Sequence, residues 1–248
     1  MKKISIIIAT YNAGKVLQRC LDSIRPQKTD EIELLIIDGN SKDNTMEIVK
    51  ANSDIIDYWV SEPDKGIYDA WNKGIKAAAG EWILFLGADD QLMPNAISVY
   101  LEYLSIDLTD NIDIISAKAK MVDSKGNVVC VFGKQFIWDE FRKNMLFSHG
   151  TTLHASKFLK ENGAFDLDYK ICADYEYFMR NGNKIKSQFI DKVLIVFQAG
   201  GASATFAGQV ETFRIRKKYN SVSILLNIML TFRRMCGIIY RNLIKSLQ

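Results

Sequence analysis

Three features of this 248-residue chain predict an α/β fold: a mainly parallel central sheet with helices on both faces, followed by a basic amphipathic helical tail. Through residue 105, strand-length apolar runs alternate with segments of helical period, the pattern of strands joined by covering helices. Polar clusters recur where the runs end, at Thr10-Tyr11-Asn12, Asp38 to Asp43, Asp64-Lys65-Gly66 and Asp89-Asp90. Ligands of such sheets sit beyond the C-terminal ends of the strands, so these clusters are expected to converge on one crevice. A basic, apolar stretch closes the chain.

Each element follows from local pattern. ISIIIA (4–9) reads as the first strand: it runs into TYN without a small-residue cleavage site, unlike a secretion signal. Val16, Leu17, Cys20, Leu21 and Ile24 then recur at helical spacing before Pro26. ELLIID (33–38) is the second strand, and Asp43 is placed to cap a helix carrying Ile48 and Val49. IIDYWVSE (55–62) is the third strand, residues 67–79 form a helix with Ile67, Ala70, Trp71, Gly74, Ile75 and Ala78 on one face, and WILFL is the fourth strand. Pro94 opens a helix running through Leu104. Beyond residue 110, IDIISAKAKMV and VVCVFG flank the turn signal DSKGN, an antiparallel hairpin. A short helix near Trp138, an aromatic helix in CADYEYFMRNG and a strand in KSQFIDKVLIVFQ complete the body. The expected division is 1–105 for one half of the domain, 106–208 for the other, and 209–248 for the tail.

Composition narrows the class. A chain 48% hydrophobic and 25% charged is globular, and its net charge of +3 hides an asymmetry. Residues 209–248 carry eight Lys/Arg against the single acid Glu211, which points to an anionic surface or substrate near the tail. SVSILLNIMLTF (221–232), with basic flanks, is too short to span a bilayer. It reads as a helix packed on the body or a second subunit, giving a homodimer, or as one lying on an anionic membrane surface. The dispersed Cys20, Cys130, Cys172 and Cys236 read as buried thiols of a reducing compartment, not a zinc site. No GxGxxG follows the first strand, which disfavours a nicotinamide enzyme. ATYNAGKV is not the glycine-rich, arginine-bearing loop of a nucleotidyltransferase. Nucleic acid is not an expected partner, because aromatics and basics do not interleave.

The chemistry is carried by carboxylates. In GEWILFLGADD a buried strand stops at Asp89 and Asp90, adjacent like charges that need a compensating cation. One acid suffices to cap the following helix, so the pair suggests a hard divalent cation, Mg²⁺ or Mn²⁺, completed by substrate phosphates. Lys65 and Gly66 open a helix whose N-terminus suits an anion, with Asp69 and Asn72 near its first turn.

The ordered series ISIIIATYN, IIDGNSKDNT and DKGIYDAWNKGIKAAAGEWILFLGADD resembles the nucleotide-binding half of family 2 glycosyltransferases, which have the GT-A fold. The resemblance is close over residues 1–105 and looser to about 205. It implies that Thr10, Tyr11, Asn12 and Asp38 face the nucleotide, with Lys65, Gly66 and Asn72 on the donor side. Asp89 would meet the ribose or the metal, and Asp90 the metal. Two positions depart from the pattern: Gly87 replaces the first acid of LDADD, and Gly39 the second acid of the usual Asp-Asp pair. CADYEYF resembles the segment supplying the family's base, which implicates Asp174, while His149 resembles a position beside the acceptor. A cation among Arg214, Arg216, Lys217 and Lys218 is expected to clamp the diphosphate as the Gly200-Gly201 loop closes.

What the resemblance implies is an inverting, Mn²⁺- or Mg²⁺-dependent transfer from a UDP-sugar or other nucleotide-diphosphate sugar. The acceptor would be a hydroxyl of a glycan, free or linked to polyprenyl diphosphate, in surface-polysaccharide assembly such as O-antigen or capsule. The enzyme is expected in the cytoplasm, peripheral on the inner face of the membrane. The alternative is a sugar-nucleotide-binding protein that has lost catalysis.

Overall fold

The computed structural model describes residues 1–106 and 111–246, with side chains described through residue 240. The basic residues Arg241 and Lys245, expected to contribute to the tail, fall outside the described side chains. The chain forms two compact units. The first comprises residues 1–136, 146–165 and 185–199; the second comprises 137–145, 166–184 and 200–248.

The first unit contains a nine-stranded sheet. Its parallel half runs in the order β3 (Tyr58–Ser61), β2 (Ile32–Asp38), β1 (Ile4–Thr10) and β4 (Trp82–Gly87). β8 (Leu153–Ala155) then joins β4 antiparallel, followed by β6 (Ile114–Val122) and β9 (Ser187–Gln198). β5 (Gln91–Leu92) closes the order antiparallel to β9, and β7 (Val128–Phe132) pairs with β6 as the expected hairpin. The mainly parallel expectation therefore holds for the first four strands, and the second half is mixed.

The central strands read as continuous apolar runs because both faces are covered. Ile4, Ile6 and Ile8 of β1 join one core cluster with Leu17, Cys20, Leu21 and Ile24 of helix α1 (Leu17–Ile24) and Val49 of α2 (Thr45–Ala51). Ile7 points to the opposite face and meets α3 (Ile67–Ala77) at Gly74, where an added Cβ would lie 2.5 Å from Ile7 Cγ2. Any larger residue would push α3 off the sheet, so this glycine sets how closely the helix approaches. α4 (Ala96–Leu104) starts two residues later than Pro94 suggests, after Asn95 adopts a left-handed conformation at φ 64°. The third strand is also shorter than expected: residues 55–57 precede the ladder, and Asp57 instead accepts from the Leu34 amide at 2.8 Å.

The second unit is helical: α5 (Trp138–Phe141), α7 (Ala173–Asn181), α8 (Phe206–Lys218) and α9 (Ile224–Ser246). Its core holds Phe141, Tyr175, Tyr177 and Phe178. α6 (Ser156–Asn162) belongs to the first unit. The expectation of four buried thiols is corrected. Cys20 and Cys172 are buried, Cys130 is half-buried, and Cys236 is exposed on the outward side of α9.

Candidate active site

The polar ends of β1, β2, β3 and β4 lie side by side because the strands are parallel and in register, Thr10 against Asp38 and Asp38 against Ser61. Asp38 is buried and accepts four hydrogen bonds. They come from Thr10 Oγ1 at 2.9 Å, Ser41 Oγ at 2.5 Å, Ser41 N at 2.9 Å and Ser61 Oγ at 2.6 Å. Burial alone would raise its pKa, but the bonds from Ser41, Ser61 and Thr10 outweigh it and hold the carboxylate below its usual range. These four bonds fill the acceptor capacity of a carboxylate. Asp38, expected to face the nucleotide, is instead the hub that ties three strand ends together, a correction forced by its burial.

What stands free at this end is Tyr11, 67% exposed. Asn12, at φ 49°, is anchored: its amide N–H donates to Ser41 Oγ and its Oδ1 accepts from Lys42 N, both at 2.8 Å. Gly39 lies beneath Tyr11, since an added Cβ would come within 3.3 Å of Tyr11 Cδ2 and 2.6 Å of Asp64 Oδ2. The place of the missing second acid is thus occupied by a carboxylate from another loop. Asp64 was not among the predicted site residues; its signal was the polar triplet Asp64-Lys65-Gly66 at a strand end.

Gly66, at φ 116°, precedes α3, and Lys65 N donates to Asp69 Oδ2 at 3.0 Å. Asn72 departs from the donor-side expectation. Its amide closes on the backbone of Phe165, donating to the carbonyl at 3.0 Å and accepting from the N–H at 2.8 Å. This bidentate clasp fixes the segment after α6 against α3.

The paired acids follow β4. Asp90 Oδ2 accepts from Gly87 N at 3.0 Å. A Cβ built on Gly87 would lie 2.9 Å from Asp90 Oδ2 and 3.0 Å from Asp89 Oδ1. Two carboxylate oxygens therefore converge over the face of this glycine, and the departure from LDADD is what leaves them room. Burial, and then the neighbouring Asp89 charge, push Asp90 up to about 7. Arg19 Nη2 donates to the Asp89 carbonyl at 3.3 Å, placing a guanidinium at the rim; nothing in the helical surface of α1 signalled it. Gly150 abuts the same carboxylate, its would-be Cβ 3.3 Å from Asp90 Oδ2.

These oxygens fit a hard dication that substrate phosphates would complete. Among the described residues no group of three or more His, Cys, Asp or Glu could hold a metal by itself. The raised Asp90 supplies the structural sign of a fit, since its anion lacks compensation that a dication would provide.

His149 lies in a one-turn helix and is buried in an aromatic box. Its ring stacks on Phe85 at 5.0 Å and 14°, with Trp71 at 4.8 Å and His154 at 4.9 Å. Burial holds its pKa at about 3, so the ring is neutral at physiological pH. The expected acceptor-facing histidine is a core residue whose neighbour, Gly150, borders Asp90. Desolvation explains the inward turn: an uncharged imidazole is compatible with this apolar box.

In the second unit Asp174 occupies the first turn of α7, half-buried. The loop before it is fixed by Glu211 of α8, whose carboxylate accepts from the amides of Lys170, Ile171 and Cys172 at 2.8, 2.9 and 2.9 Å. Glu176, two residues beyond Asp174, points elsewhere. It is buried with Lys218 Nζ at 3.2 Å, Arg180 Nη2 at 3.2 Å and the Tyr219 hydroxyl. The expected diphosphate clamp is corrected in part. Arg216 is buried and donates to the Lys143 carbonyl at 3.1 Å and Thr231 Oγ1 at 3.3 Å, and Lys218 is paired with Glu176 and Asp166. Arg214 and Lys217 remain exposed.

A sheet whose parallel strands end in polar loops and an acid pair is the arrangement of the GT-A fold. Residues 5–159 match the model of glycosyl transferase family 2, and the chain belongs to that family. It is 30% identical over 185 residues to the PGL/p-HBAD biosynthesis glycosyltransferase of Mycobacterium tuberculosis, covering 71% of this chain and 68% of that one. A second M. tuberculosis glycosyltransferase, uncharacterized, is 27% identical over 218 residues, 81% of this chain and 77% of that one. Among solved structures, S. aureus TarS in complex with UDP-GlcNAc superposes with a TM-score of 0.71 at 19% identity, over 94% of this chain and 71% of that one. A mannosyltransferase from Pyrobaculum calidifontis, in complex with GDP-Man and Mn²⁺, gives 0.64 at 14% identity, over 95% and 74%. The chain is therefore a glycosyltransferase enzyme with the GT-A fold.

Proposed function

We propose that this glycosyltransferase moves a sugar, with inversion, from a UDP-sugar to a hydroxyl of a glycan acceptor. The observation that carries the reading is the convergence of Asp89 Oδ1 and Asp90 Oδ2 over Gly87. Mn²⁺ or Mg²⁺ held by Asp90 and Asp89 would supply charge stabilisation for the departing diphosphate. Tyr11 offers an exposed ring to the base, with Asp64 at its edge and Asp38, Thr10 and Asn12 as the rigid floor beneath. The N-terminus of α3 at Lys65 and Gly66 faces an anionic group. Asp174 serves as the base that takes the acceptor hydroxyl proton as its oxygen attacks the anomeric carbon, opposite the leaving group. That role rests on the family resemblance of CADYEYF and on the structural care with which Glu211 fixes the preceding loop. Complexes of the fold relatives with UDP-GlcNAc and with GDP-Man and Mn²⁺ support the donor class. On this reading the acceptor is assigned to a polyprenyl-diphosphate carrier in bacterial surface-polysaccharide assembly, at the inner face of the cytoplasmic membrane, an assignment that the basic, apolar tail supports.

The test is a panel of nucleotide sugars with Mn²⁺, read as nucleoside diphosphate release and as the anomeric configuration of the product. Turnover with inversion is expected, falling about a hundred- to ten-thousandfold in Asp174→Asn with the melting point unchanged. Donor binding with no turnover on any acceptor would make the chain a sugar-nucleotide-binding protein instead.

A further inference from the structure

Helix α9 is mounted with its polar side inward. Asn227 and Thr231 are buried against α8: Asn227 Nδ2 donates to the Phe213 carbonyl at 3.0 Å, and Arg216 Nη2 donates to Thr231 Oγ1 at 3.3 Å. Those two bonds set the rotation of the helix about its axis. At about 100° per residue, Ile224, Leu225, Ile228, Met229 and Phe232 then share one outward arc. All five are exposed, Leu225 and Phe232 to 67% each. Ile239 and Tyr240 continue the arc further along and are exposed as well. A helix bathed in water turns such a stripe toward the core, and a contiguous exposed stripe marks a contact surface.

Charge selects the occupant. Residues 209–248 carry eight Lys/Arg and one acid, Glu211, and that acid is closed on the amides of Lys170, Ile171 and Cys172. Arg233, at the margin of the apolar arc, is exposed, as are Arg214 and Lys217 on α8. A second copy meeting this surface by two-fold symmetry would bring the same cations against each other. An anionic bilayer neutralises them while accepting the apolar side chains below its head groups. No described helix is long and apolar enough to cross a membrane, so α9 lies in the plane. We propose that α9 docks on an anionic lipid bilayer, with Leu225, Ile228, Met229 and Phe232 in the acyl boundary and Arg233 among the head groups. The surface stands independently of the transferase chemistry.

The test is flotation of the full chain with vesicles of phosphatidylcholine alone or mixed with phosphatidylglycerol. Binding at least about tenfold stronger to the anionic vesicles is expected, weakening with salt. The pair Leu225→Ser and Phe232→Ser, both at exposed positions, should abolish flotation without moving the melting point, and Arg233→Glu should weaken it on anionic vesicles only. Failure to float with either vesicle, or equal flotation with both, overturns the proposal. So does a dimer in sedimentation equilibrium that the Leu225→Ser and Phe232→Ser pair dissolves while vesicles go unbound.

Discussion

Replacing Asp90 by Asn should stabilise the metal-free protein at alkaline pH, although it removes a carboxylate of the proposed metal site. Burial beside Asp89 raises Asp90 from the ordinary 3.8 to about 7. A carboxyl whose pKa is raised on folding contributes stability when protonated, and loses it as pH rises through the folded value. Between about pH 5.5 and about pH 8.5 the unfolded chain keeps Asp90 ionised throughout, whereas the folded chain must release its proton near 7. At about 1.36 kcal/mol per pH unit, the wild type loses about 2 kcal/mol across this window relative to Asp90→Asn. For a chain of this length that is about 4–8 °C in melting temperature. The two histidines titrate within this window only in the unfolded chain, because burial lowers their folded values below the usual 6.5; the wild-type curve alone therefore mixes both effects, and the difference between the two proteins cancels them. Asn keeps an oxygen for the Gly87 amide, which preserves the local bond. The assay is urea unfolding of both proteins at the two pH values, without metal and then with Mn²⁺. The expected difference grows with pH and shrinks when Mn²⁺ binds the wild type. A difference that stays constant with pH would refute the claim that Asp90 is held in a desolvated, like-charged setting.

Three further outcomes are expected. Glu211→Ala removes the carboxylate that accepts from the amides of Lys170, Ile171 and Cys172, and should cost about 2–3 kcal/mol in chemical denaturation, with Glu211→Gln intermediate. Gly87→Ala puts a methyl 2.9–3.0 Å from Asp90 Oδ2 and Asp89 Oδ1. These flexible ends can swing away, so the fold should survive while turnover falls about a hundredfold, as steady-state kinetics would show. In Asp90→Asn, lowering the pH from about 7 to about 5 should cost about 2 kcal/mol for His149, with a further loss in the same direction from His154, seen by urea unfolding. Both have folded values depressed by burial below the usual 6.5, so their stability is present above 6.5 and lost as pH falls.

β1, β2 and β4 were legible in the sequence because they are buried on both faces, which leaves continuous apolar runs, and because the helices between them are amphipathic, which leaves a helical period. β5 and β8 were not, since two residues at Gln91–Leu92 and three at Leu153–Ala155 are too few for any period, and they exist because β9 and β4 offer edges. The acid pair stands out in the sequence through charge repulsion, which needs no partner to be recognised. The roles of Asp38, Asn72 and His149 were misjudged for the opposite reason. Polarity and placement look alike in a hub, a clasp and a ligand contact, and only the tertiary partners distinguish them. For α9 the sequence shows apolar and polar residues in the right ratio for a packed helix, but not which of them face α8.

Asp38 gathers Thr10, Ser41 and Ser61 into one knot before any donor arrives. The conformational entropy of that platform is surrendered when the chain folds and not when it captures a nucleotide. Association then need organise only what lies above the platform, and residues there can be exchanged without unlacing the strands below.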